Sequence, residues 1–133
     1  MLDFSKFVEG YLIGVKVFQT EKRVAIFLQE VTGKNWMLTA KGVSEFMILQ
    51  MCMQNIIDRI SIWDISSDEV DYRSKIFSLI QGRFAEEKDD LNLPLINQAI
   101  DRIRRGDVIL IELEPVYGAL VLILASEVCL AES

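Results

Sequence analysis

YLIGVKVFQTEKRVAIFLQEVTGKNWMLTA, residues 11–40, is the stretch on which the fold turns. Tyr11 to Phe18 is rich in β-branched and aromatic side chains, which suit a pleated, half-buried strand. Tyr11, Ile13, Val15 and Val17 share one face at a period of two, with Lys16 and Phe18 on the other. Thr20-Glu21-Lys22 reads as a turn, Arg23 to Val31 as a second strand, Thr32-Gly33-Lys34-Asn35 as another turn, and Trp36 to Ala40 as a third strand. Short turns between neighbouring strands require antiparallel pairing, because a parallel pair needs a crossover of a dozen or more residues.

Downstream, residues 42–55 fit a helix or a strand; the alternation from Leu49 to Met53 leans toward a strand or an irregular connection. Ile56 to Ile65 reads as a strand with Ile56, Ile60 and Ile62 on the face that also carries Asp58 and Asp64. Ser66 and Glu69 have the spacing of a capping box, and Tyr72, Ile76, Leu79 and Ile80 form the apolar stripe of a helix ending near Gly82. Arg83 to Asp90 is a charged loop. Asn92 is placed to cap a second helix with Pro94 in its first turn, where a missing N–H costs nothing. Ile96, Ala99, Ile100 and Ile103 recur at helical spacing, Arg102, Arg104 and Arg105 complement the negative end of the dipole, and Gly106 ends the helix.

Val108 to Glu114 follows as a strand, with Ile109, Ile111 and Leu113 facing one way and Glu112 and Glu114 facing solvent. Pro115 to Gly118 reads as a tight turn, and Ala119 to Leu130 as a strand apolar on both faces, hence central or under a helix. Strands grouped with strands and helices with helices predict an α+β class. The expectation is one compact domain, 1–133, with a largely antiparallel sheet of about five to six strands and two helices packed on one face.

Composition narrows the function. The chain has 133 residues, no histidine and a net charge of −6. Histidine is the side chain whose charge changes nearest neutral pH and the commonest metal ligand, so catalysis and metal binding are not expected, nor is a cofactor. Asp68-Glu69-Val70-Asp71 lacks the glycine and alternating ligands of a calcium loop. Cys52 and Cys129 lie 77 positions apart in apolar neighbourhoods and read as reduced, buried small hydrophobes. The longest apolar runs, Ala119 to Ala125 and Val128 to Ala131, fall short of the roughly 20 residues a membrane helix needs. Met1 to Lys6 carries Asp3 where a secretory signal would carry bases. The expected setting is therefore the cytoplasm, with neither membrane nor nucleic acid as partner.

Residues 66–133 hold 13 acids against seven bases and account for the whole net charge. Two acidic clusters stand out. Asp64, Asp68, Glu69 and Asp71 lie beside Trp63 and Tyr72, and Glu86, Glu87, Asp89 and Asp90 follow the first helix. An acidic surface attracts basic partners, and an aromatic beside carboxylates is suited to anchor an interface. These ten residues form the candidate partner-binding set. Three arginines at the end of the second helix are explained by its dipole.

Acidity, small size, the lack of catalytic residues and the stretch from Arg104-Arg105-Gly106-Asp107 to Glu114-Pro115-Val116-Tyr117-Gly118-Ala119 together resemble the immunity proteins of bacterial contact-dependent growth inhibition systems. The resemblance implies a monomeric protein that binds the basic surface of a cognate toxin domain, often a nuclease, one to one. It would neutralise the toxin by electrostatic and steric occlusion. The alternative reading is a non-catalytic adaptor or subunit of a larger complex, using an apolar patch around Met47, Met51 and Met53.

Overall fold

The computed structural model describes residues 2–133; Met1, the first residue of the amino-terminal reading above, lies outside the described residues. The strands are β1 (Tyr11–Phe18), β2 (Arg23–Gln29), β3 (Asn35–Lys41), β4 (Glu45–Leu49), β5 (Asn55–Trp63), β6 (Ile109–Tyr117), β7 (Leu120–Ala125) and β8 (Glu127–Glu132). The helices are α1 (Arg73–Gln81) and α2 (Pro94–Arg104). The class is α+β, with one antiparallel sheet ordered β4-β7-β6-β5-β1-β2-β3-β8.

Eight strands replace the expected five to six. The difference arises at two bends in long strands. Residues 36–41 pair with residues 127–132 and residues 45–49 with residues 120–124, the first segment bending at Gly42 and the second at Ser126. The bends are bonded to each other, the Ser126 amide donating to the Lys41 carbonyl at 2.9 Å. Gly42 has φ +64°, and a β-carbon there would strike the Ser126 hydroxyl, so only glycine lets the two corners close. Since β3 continues into β4 and β7 into β8, the ends of the sheet are joined and it curls around its core. Opposite this corner, β1 meets β5 through Tyr11↔Ile56 and Leu12↔Asn55.

The interior is filled by Leu12, Val24, Ile26, Leu28, Leu38, Ile57, Ile60, Ile111, Leu113, Val121 and Ile123, with Phe7 closing one end. A second apolar layer lies outside, where α1 and α2 place Tyr72, Ile76, Phe77, Ile96, Ile100 and Ile103 against Met47, Leu110, Leu122 and Leu124. β7 is thus apolar on both faces because it is central and helix-covered, as its composition predicts. Truncating one of these buried aliphatics to alanine costs roughly 2–5 kcal/mol.

Local readings shift where the pleat breaks. A bulge between Leu12 and Gly14 turns Ile13 outward, to 55% exposure, and leaves Leu12 as the buried residue of β1. Irregularities at Ile57 likewise make Ile57 and Ile60, rather than Ile56, the buried apolar residues of β5. β6 runs through Pro115 to Tyr117, with Pro115 paired opposite Ile57, so the turn is at Gly118 and Ala119. Residues 45–49 resolve as a strand. Both cysteines are exposed, not buried: Cys52 lies in the 50–54 loop, and Cys129 lies on the part of the sheet that the helices leave bare. Trp36 is half-buried, edge-on to Phe7 with its indole N–H donating to Glu30 at 2.6 Å. No helix among the described residues is long and apolar enough to cross a membrane.

Candidate functional site

The connection from β5 to α1 holds the first acidic cluster. The Asp64 carboxylate accepts from the Ser66 hydroxyl at 2.6 Å and from the Ser66 amide at 2.9 Å, and these bonds hold its pKa below the ordinary value. Asp68 accepts from the Val70 amide at 3.1 Å, capping a short 3₁₀ turn, Glu69–Asp71. The expected capping box on Ser66 does not form. Its hydroxyl is committed to Asp64, and Glu69 turns to Arg73 at 2.7 Å and Arg104 at 3.4 Å. Asp71 is exposed and has no ion-pair partner among the described residues.

Trp63 and Tyr72 are not the exposed anchors of this segment. Tyr72 is fully buried, and its ring packs 6.2 Å from that of Trp63. The Tyr72 hydroxyl and Trp63 Nε1 are sealed without hydrogen-bond partners among the described residues. The side chains presented outward are Ile65, 65% exposed, and Val70, 76% exposed. No sequence signal marks this exchange, because the aromatic residues and the aliphatic ones are equally apolar.

An unpartnered buried hydroxyl costs about 1–3 kcal/mol. Tyr72→Phe is therefore expected to raise unfolding free energy by about 1 kcal/mol in urea titrations; a loss of similar size would mean that the hydroxyl is bonded. Burial also pushes the Tyr72 phenol above its ordinary value. Its contribution is complete below the unfolded value of about 10 and is lost as pH rises toward the folded value. Asp64 and Asp89 have depressed values, the latter chiefly through Arg83. Their contribution is present above the unfolded value of about 4 and is lost as pH falls. Unfolding midpoints should thus decline at both extremes, and Tyr72→Phe should flatten the alkaline decline alone.

The second cluster is largely neutralised from within. Asp89 takes two bonds from Arg83, at 2.8 and 2.9 Å, and one from the Glu86 amide at 2.7 Å. Glu86 lies 3.5 Å from Lys88, and Asp90 accepts from the Asn92 amide. Asn92 itself does not cap α2; its side-chain oxygen accepts from Asn97, and Leu93 occupies the cap position. Glu87 is exposed with no ion-pair partner among the described residues. The loop returns along α1, and Arg73 donates to the Leu91 carbonyl at 3.0 Å while holding Glu69. The chain just beyond the second cluster therefore meets the first.

Beside Asp71 lies a concavity of about 250 Å³, walled by Trp63, Ser61, Arg59, Lys75, Glu112 and Glu114. Glu112 does not face solvent as its strand position suggests. It is 5% exposed, and Lys75, on α1, reaches its Oε2 at 2.9 Å. Glu114 pairs with Arg59 at 2.8 Å nearer the rim. The sequence separates these residues by up to 55 positions; a strand pairing, Arg59↔Glu114 and Ser61↔Glu112, brings them together. Among the described residues no group of three His, Cys, Asp or Glu side chains has metal-binding geometry. The fold and site thus define a curled antiparallel barrel flanked by two helices, with an acid-rich concavity beside an exposed acidic and apolar segment. In comparisons with known proteins, no family model, curated protein or solved structure matches the chain.

Proposed function

We propose that this protein is a non-catalytic inhibitor that binds and neutralises a basic toxin domain, in the manner of the immunity proteins it resembles. The observation that carries this reading is the 64–71 segment. Asp64, Asp68 and Asp71 have no ion-pair partner among the described residues, and between them stand exposed Ile65 and Val70. Unpaired carboxylates around apolar side chains suit a basic surface with an apolar recess, where the acids steer the encounter and the desolvated side chains hold the complex. The second cluster contributes less than its composition suggests, since Asp89 and Glu86 already have internal partners.

The test is the purified chain against basic toxin domains from its own host, followed by a growth-protection assay. Expected are a one-to-one complex and protection. Replacing Asp64, Asp68 and Asp71 together by asparagine should slow association about tenfold at low salt and flatten its salt dependence. Absence of both binding and protection, or a triple variant indistinguishable from the parent, would defeat the reading.

The adaptor alternative is favoured by one observation. Met51 and Met53 stand exposed on the 50–54 loop, although Met47 is buried beneath α1. It predicts concentration-dependent mass in light scattering that Met51→Ser with Met53→Ser abolishes; a constant monomer mass argues for the inhibitor.

A further inference from the structure

We infer that the free edge of β4 takes an added β-strand, an extended segment of a partner in which two adjacent apolar residues are flanked by carboxylates. The inference does not rest on the inhibitor reading. β4 stands at one end of the run β4-β7-β6-β5, and the 64–71 segment leaves from the other end, so the two surfaces are separate.

The edge follows from the sheet order. β4 pairs with β7 alone, from Glu45↔Leu124 to Leu49↔Leu120. Among the described residues no other hydrogen bond reaches the main chain of residues 45–49. In an antiparallel pair alternate residues direct both N–H and C=O away from the partner, so part of this backbone is left for another strand. Glu45 is exposed and Phe46, Ile48 and Leu49 are half-buried, whereas residues 121–125 of the neighbouring β7 are all buried.

Side-chain seats lie on both faces of the edge. On the side of β1 and β2, a concavity of about 180 Å³ has Val17, Val43 and Phe46 in its walls, with Lys22. On the helix side, a concavity of about 160 Å³ is walled by Ile80, Leu95 and Leu124, with Arg102. Val17 and Leu95 are exposed, apolar surface that the fold itself leaves uncovered. Each space is below the 300–1,000 Å³ of sites for drug-sized ligands and suits one side chain. Successive side chains of a strand point to opposite faces, so two adjacent apolar residues of an added strand reach one seat each. Backbone bonds then supply the affinity and the seats the selectivity. Charge completes the specification. Lys22 and Arg102 have no ion-pair partner among the described residues; Arg102 donates to the Ser44 hydroxyl at 3.4 Å. Arg23, also in the first seat, is held by Glu21. Glu45 is the one carboxylate lining either seat among the described residues. Two unpaired cations against one carboxylate favour acidic residues beside the apolar pair.

The test is a proton–nitrogen NMR titration of the whole chain with the acetylated and amidated hexapeptide Thr-Asp-Val-Leu-Glu-Thr. The comparators are Thr-Lys-Val-Leu-Lys-Thr, blocked in the same way, and the acidic peptide N-methylated at valine and leucine, which loses a central N–H on either edge. Saturable shifts are expected at the amides of residues 45–49 with the acidic peptide. Binding should be about tenfold weaker with the lysine peptide and absent with the N-methylated one. Lys22→Glu combined with Arg102→Glu should reverse the preference between the acidic and lysine peptides. No saturable shift at 45–49, equal binding of the two charged peptides, or undiminished binding of the N-methylated peptide overturns the assignment. Shifts at 45–49 on dilution without peptide also overturn it, since they would give the edge to a second copy of the chain.

Discussion

Asn55→Ala is expected to lower the unfolding free energy by about 2–4 kcal/mol, the loss of a buried hub rather than of one contact. Asn55 is 3% exposed at the start of β5. Its Oδ1 accepts from the Cys52 amide at 2.9 Å and from the Ala119 amide at 3.0 Å, and its Nδ2 donates to the Cys52 carbonyl at 2.8 Å. One side chain therefore ties the 50–54 loop to the turn between β6 and β7. Water can reach the exposed Cys52 once the amide is gone, but Ala119 is fully buried and its N–H would be left without a partner. Asn55→Asp keeps the acceptor but buries an unpaired carboxylate against the Cys52 carbonyl, so near neutral pH it should cost at least as much as the alanine variant.

Gly118 is the partner feature in this corner. It has φ +92°, and a β-carbon there would collide with the Asn55 side chain. Gly118→Ala should match or exceed the loss from Asn55→Ala, since left-handed strain adds to the collision. Chemical denaturation measures both. A change below about 0.5 kcal/mol, the range of ordinary surface substitutions, would show that the corner is not held this way.

Lys75→Ala is expected to destabilise the protein by about 2–4 kcal/mol, more than a surface ion pair warrants. Removing one member of a buried pair leaves an uncompensated charge, at about 3–5 kcal/mol. The lower range applies because Lys75 is 27% exposed, although Glu112 is only 6% exposed at its side chain. Glu112→Leu, by contrast, should be near neutral, since it removes the desolvated charge and places an apolar group beside Leu122, its neighbour in register. Lys75→Ala combined with Glu112→Leu should recover most of the single loss. Equal losses in all three variants would show that the pair is packing and not electrostatics.

Much of the architecture could be read from the chain. Alternation over residues 11–40 marked three strands, and β1 begins and ends at the residues expected of it. The second helix was equally plain, because Pro94, the apolar stripe Ile96-Ala99-Ile100-Ile103 and Gly106 all express one local geometry. Side-chain faces were less legible. A bulge adds a residue to one strand and reverses its inward and outward sets, so Ile13 came out exposed despite its regular spacing. The count of strands failed for a related reason: bends at Gly42 and Ser126 exist to satisfy the opposite strand, not their own neighbours.

The candidate site divides along the same line. By itself the sequence determined the acidic surplus and its confinement to residues 66–133, since charge is a property of composition. It also determined the elements that carry the acids, since capping, periodicity and turn residues act over four or five positions. Only the tertiary structure decided which acids remain free. Glu112 is claimed by a lysine 37 positions away and Glu69 by arginines on two helices, while Asp71 keeps no such partner among the described residues. It also turned Trp63 and Tyr72 inward and left Ile65 and Val70 in solvent. The physical reason is range: propensity is summed along the chain, whereas burial and ion pairing are settled between segments that meet only after the sheet has closed.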